Sequence, residues 1–103
     1  MSNVLIEIRV DDASGLAAAI AGGADRIALC SSLALGGLTP TPGLLRQAAQ
    51  SPVPVRAMIR PREGNFSYDA AERAAMLHDI DGARAEGLSG VVFGALTPDG
   101  ELD

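Results

Sequence analysis

The sequence predicts a parallel α/β fold, the first half of a (β/α)8 barrel of the TIM type, with four strands and three helices. Three observations carry this. Short apolar runs start near residues 4, 26, 54 and 90 and alternate with stretches of helical spacing. That alternation means a parallel sheet with crossover helices. The fourth run has no covering helix after it, and four strands are half of a barrel that takes about 200 residues or more. A flavodoxin-like or Rossmann sheet is the competing arrangement. The first strand-to-helix turn, "VDDASG", lacks the G-x-G-x-x-G of a dinucleotide site, so no nucleotide cofactor is indicated.

The elements follow in order. In "VLIEIRV" (Val4 to Val10) Val4, Ile6, Ile8 and Val10 alternate with Leu5, Glu7 and Arg9, the period of a strand. Asp11 to Ser14 offer N-caps for "GLAAAIAGG", which Gly22 and Gly23 end. "RIALC" is the second strand, "SSLALGGLTPT" a loop, and "PGLLRQAAQ" a short helix opened by Thr41 and Pro42. "PVRAMIR" is the third strand and "PREGNFSY" a loop. The longest helix spans Tyr68 to about Glu86, with Ala71, Ala74, Ala75, Leu77 or His78, and Ile80 as its apolar stripe and Gly87 as its stop. "GVVFGAL" is the fourth strand and "TPDGELD" a terminal turn. All 103 residues read as the N-terminal half of a single barrel domain, with no linker and no low-complexity segment.

Composition bounds the function. Apolar residues make up 48% and charged residues 20%, a globular balance. A net charge of -5 argues against a nucleic-acid surface. No apolar run approaches the roughly 20 residues that span a bilayer. The start "MSNVLIEIRVDD" lacks a signal peptide's basic region. With one cysteine, Cys30, and no signal, a cytoplasmic location is expected. All eight basic residues are arginine, so Schiff-base, PLP-anchoring and Walker-A lysines are excluded within this chain.

Ligands of parallel α/β folds gather at the carboxyl ends of the strands. If Val4, Ile6, Ile8, Val10, Ile27, Leu29, Val55, Ala57 and Ile59 face the helices, then Glu7, Arg9, Ala28, Cys30, Met58 and Arg60 face the interior, with Arg62 beyond Pro61. Glu7 is expected to pair with Arg9 or Arg60, since an interior carboxylate needs a partner. It is the candidate acid/base. Arg9, Arg60 and Arg62 outnumber it and form a candidate clamp for a phosphate or carboxylate. Cys30 is either core filling or a site residue. His78, on a helix, reads as structural.

The motifs "EIRVDDASGLAAAIAGGADRI", "RIALCSSLALGGLTPTPGLL", "VRAMIRPREGNFSY" and "GVVFGALTPDGELD" closely resemble, in order and spacing, the N-terminal half of the CutC-type copper homeostasis proteins. The resemblance covers essentially the whole chain. It implies a cytoplasmic, oligomeric (β/α)8 barrel that handles copper, here completed by a C-terminal half or a second copy. Glu7, Cys30, Arg60 and Arg62 sit where that family has its strand-end glutamate, its second-strand cysteine and its "MIRPR" arginines. Cys30 is then the candidate copper ligand. Arg9 stands where many members have a second cysteine, Ala28 where a glutamate is usual, and Leu88-Ser89 where Ala-Asp is common. With one thiol and only Met58 as a soft partner, weak Cu(I) binding is expected. The alternative function is a small-molecule barrel enzyme or binder for an anionic ligand.

Overall fold

The computed structural model describes residues 4–93. They form β1 (Glu7–Val10), α1 (Ala13–Ala21), β2 (Arg26–Leu29), a short 3-10 turn (Leu33–Leu35), α2 (Pro42–Ala48), β3 (Val55–Met58), α3 (Ala70–Ala85) and β4 (Gly90–Val92). The strands lie in one sheet in the order β1-β2-β3-β4, every neighbouring pair parallel. The expected continuation of the fourth strand through Leu96 and the turn after it lie outside the described residues.

Each helix starts where its capping chemistry says. Asp12 accepts the Gly15 N–H at 2.6 Å ahead of α1, and Thr41 accepts the Leu44 N–H ahead of the Pro-led α2. Asp69 and Glu72 form a reciprocal capping box on α3. Gly23 and Gly87, both at positive φ, follow α1 and α3, where a left-handed residue turns the chain out of the helix.

One face of the sheet carries the main core. Val10, Ile27, Leu29, Val55 and Ala57 pack with Leu16, Ala19, Leu44, Leu45, Ala48 and Ala83 of the helices. Ile27 and Leu29 are fully buried, each contributing about 1.5–3 kcal/mol of hydrophobic stabilisation. A second cluster joins Ile59, Tyr68 and Met76. The period-two expectation for the helix-facing residues holds from Ile8 through β3, but Val4 and Ile6, expected on the same side, are exposed.

Two expectations are corrected. The first strand is shorter than Val4–Val10, because Asp25 intervenes. Its carboxylate accepts the Ile6 N–H at 2.8 Å, while the Ile6 carbonyl accepts the Asp25 and Arg26 N–H groups. The ladder begins only at Glu7. The buried face of α3 also differs: Met76 and Ala83 are buried with Ile80 beside them, while Ala71, Ala74, Ala75, Leu77 and His78 are exposed. Alanines define an apolar stripe weakly, and Met76, the large side chain that is buried, with Ile80 beside it, sets the rotation of the helix against the sheet.

Among the described residues β1 and β4 each have one neighbour, so the sheet is open. Exposed apolar side chains lie at both margins: Val4, Leu5 and Ile6 before β1, Val92 and Phe93 at β4.

Candidate functional site at the strand carboxyl ends

The face of the sheet opposite the main core carries Arg9, Cys30, Met58 and Arg60, at or just past the carboxyl ends of β1, β2 and β3. The loop of residues 31–41 folds against them. Ser31 and Leu38 exchange N–H to carbonyl hydrogen bonds at 2.8 and 2.7 Å, closing the loop on itself. Between them Gly36 and Gly37 take φ of +89° and +95°, a region open to glycine. Ser32 also sits at positive φ, the one non-glycine among the described residues that does. Three ties fix this loop to the sheet. The Asp11 carboxylate accepts the Leu33 N–H at 3.0 Å, the Thr39 N–H donates to the Arg60 carbonyl, and the Arg60 N–H donates to Thr39 Oγ1, both at 2.9 Å.

Gly37 is where the site residues meet. A Cβ placed there would lie 2.9 Å from Arg9 Nη2, 2.9 Å from Met58 Sδ and 3.3 Å from Cys30 Sγ. An added methyl would force Arg9 and Met58 to shift. Cys30 is 1% exposed, and its thiol donates to the Val10 carbonyl at 3.5 Å. Burial pushes its pKa above the ordinary thiol value; the Arg9 charge opposes that rise and the Asp11 carboxylate adds to it. Cys30 is thus buried by the loop and yet sits in the site.

The three arginines are held differently. Arg9 donates through Nη2 to the Gly36 carbonyl. Arg60 donates through Nη1 to the Leu35 and Gly37 carbonyls at 3.0 and 3.3 Å and through Nη2 to Gly64, with its guanidinium 5.1 Å from the Phe66 ring centre. Its Nε is buried without an acceptor among the described residues. Arg62 grips both oxygens of Glu72, donates to the carbonyls of Glu63, Asn65 and Ser67, and stacks on Tyr68. Its donors organise its own loop and the start of α3.

Glu7 is not among this group. It opens β1 opposite Arg26, the first residue of β2, and accepts from Arg26 Nε at 2.7 Å, at the amino end of the strands. The expected partners Arg9 and Arg60 are therefore replaced by Arg26. A strand of four residues separates its two ends widely enough that a residue at one end cannot serve the other. His78 is on α3, as read. Asp11, Thr39 and Gly37 escaped the sequence reading. Asp11 directly after an apolar strand was a usable signal, taken there only for a helix cap. Among the described residues no three His, Cys, Asp or Glu side chains gather where they could share a metal ion, and no helix is long and apolar enough to cross a membrane.

Comparison with known proteins gives one consistent answer. A profile of the CutC family matches residues 4–103. A CutC family protein of Sinorhizobium medicae is 61% identical over 103 residues, all of this chain and 42% of that protein. One from Caulobacter vibrioides is 61% identical over 100 residues, 97% of this chain and 41% of that one. The chain therefore spans about two fifths of the length of these relatives. The solved CutC structure from Streptococcus agalactiae superposes with a TM-score of 0.90 at 34% identity, over 97% of this chain and 50% of that one. Four parallel strands and three helices in this order are the first half of a TIM barrel. The chain belongs to the CutC family.

Proposed function

We propose that this chain is the ligand-bearing part of a cytoplasmic copper-handling barrel, with Cu(I) as its cargo and Cys30 and Met58 as the soft donors. The observation that supports this reading is the convergence at Gly37, where both sulfur atoms lie within 3.3 Å of one point. A thiolate and a thioether are a donor pair that suits Cu(I) and not the hard cations. The Streptococcus agalactiae relative carries copper homeostasis in its name. The barrel is completed by further strands, from a C-terminal half or a second copy, along the β1 and β4 margins.

The chemistry sets the strength of binding. Cys30 must give up its proton as the metal binds, and burial makes that costly. Arg9 favours the thiolate but repels the incoming cation. Two donors also leave Cu(I) at its minimum coordination. Binding is therefore weak, of one ion per chain. Competition with a chromophoric Cu(I) chelator measures it. The expected result is a single saturable site, abolished in Cys30→Ser and weakened about tenfold or more in Met58→Leu. Affinity that survives Cys30→Ser would overturn the proposal.

A further inference from the structure

We infer that the strand-end mouth also binds a small-molecule oxyanion, the carboxylate or phosphate group of a metabolite, between the Arg9 and Arg60 guanidinium groups beside the Gly36–Gly37 turn. The inference stands apart from copper, since it uses neither sulfur.

The first support is charge. The ion pairs among the described residues join Arg26 to Glu7, Arg46 to Glu86 and Arg62 to Glu72. Arg9 and Arg60 have no carboxylate partner there, although the protein carries 13 acidic residues and a net charge of -5. Backbone carbonyls hold them in place without neutralising them: Gly36 for Arg9, and Leu35, Gly37 and Gly64 for Arg60. Asp11, the carboxylate that lies near this group among the described residues, already accepts the Leu33 N–H. Two fixed cations against one anion leave a local positive excess in a molecule whose overall field repels anions.

The second support is geometry. Arg62 uses its Nε and Nη2 edge to hold the two oxygens of Glu72, so a neighbouring side chain shows what that edge accepts. On Arg60 the corresponding edge has Nη2 on Gly64 and a buried Nε with no acceptor among the described residues. A buried donor without an acceptor is destabilising, and an oxyanion oxygen would relieve that. Arg9 is exposed and, among the described residues, donates only through Nη2, to the Gly36 carbonyl, so its other donors are not spent on protein there. Both arginines lie at the carboxyl ends of parallel strands, where ligands of this architecture collect.

The test is a titration of the metal-free chain, with chelator present, by inorganic phosphate and separately by succinate at constant ionic strength. The Gly36 and Gly37 amide resonances are the readout. Saturable shifts with either probe support the site, and the tighter probe names the group. Arg9→Gln should weaken binding at least tenfold, Arg9→Lys less, and the remote Arg46→Gln not at all. Arg60→Gln should also weaken it, but that change can loosen the loop, so Arg9→Gln decides. Shifts that stay linear with both probes, or equal weakening by Arg46→Gln, would overturn the inference.

Discussion

Arg62 holds Glu72 by one edge of its guanidinium, with Nε on one carboxylate oxygen and Nη2 on the other at 3.3 Å. Glu72 in turn accepts the Asp69 N–H at 3.0 Å and so closes the cap of α3. One carboxylate thus joins the loop after β3 to the helix that follows. The Glu72 carboxyl is held below the usual carboxylate range, chiefly by the Arg62 hydrogen bond and then by the Asp69 amide. A lowered folded-state pKa gives stability that is complete above the unfolded value, about 4.3, and is lost as the pH falls through the folded one. Urea unfolding from about pH 5 to about pH 3 should show a smaller loss of stability in Glu72→Gln than in the parent chain. Both side chains are partly in water, so the difference should shrink in high salt. Parallel acid profiles for the two proteins would show that the pair contributes nothing.

Gly37→Ala should cost about 2–4 kcal/mol, since it combines backbone strain at φ +95° with overlap against Arg9 and Met58. Gly23→Ala is the control. Its φ is +90°, but nothing lies within 4 Å of the added methyl, so only the strain of about 1 kcal/mol remains. Thermal or urea melts of the two variants compare them directly. Equal losses would mean that the loop yields and the close approach at Gly37 is soft.

Cys30 should alkylate slowly in the folded chain. Burial both blocks the reagent and lifts the thiol pKa, and the Arg9 charge only partly offsets the rise. Iodoacetamide kinetics near neutral pH should give a rate about a hundredfold or more below that in urea, climbing as the pH passes the ordinary thiol range. Comparable rates in the folded and unfolded chain would mean that the 31–41 loop does not cover the sulfur.

Arg9→Cys should tighten Cu(I) binding by about tenfold or more, because it adds a thiol beside Gly37 and removes the cation facing the metal. The chelator competition described above measures it against the parent chain. No gain would place Arg9 outside the metal's reach.

The strand phase was legible because it rests on side-chain polarity. Ile27, Leu29, Val55 and Ala57 declared the helix side, and that alone put Arg9, Cys30, Met58 and Arg60 together on the other. The partner of Glu7 was not legible. Period two reports the face of a residue but not how far along the strand the ladder starts, and that start depended on the carboxylate of Asp25. The arginine holds were hidden for another reason: their acceptors are the carbonyls of Leu35, Gly36, Gly37 and Gly64, and a carbonyl has no letter in the sequence. The rotation of α3 was hidden by its own alanines.

Because the strands lie side by side in the order in which they are made, the sheet can be assembled by simple accretion. Glu7 meets Arg26, Ile27 meets Val55 and Arg56 meets Gly90, each closure spanning about 20 to 35 residues. Loop-closure entropy grows only with the logarithm of length, so these three steps differ by roughly 0.5 kcal/mol and none is a special bottleneck. A nascent chain leaving the ribosome could therefore seat each strand as it emerges, with β2 docking on β1 before β3 exists. The bonds between Ile6 and Asp25, among them the Asp25 carboxylate on the Ile6 amide, would then close early, and the 31–41 loop, which waits for Thr39 to find Arg60, later.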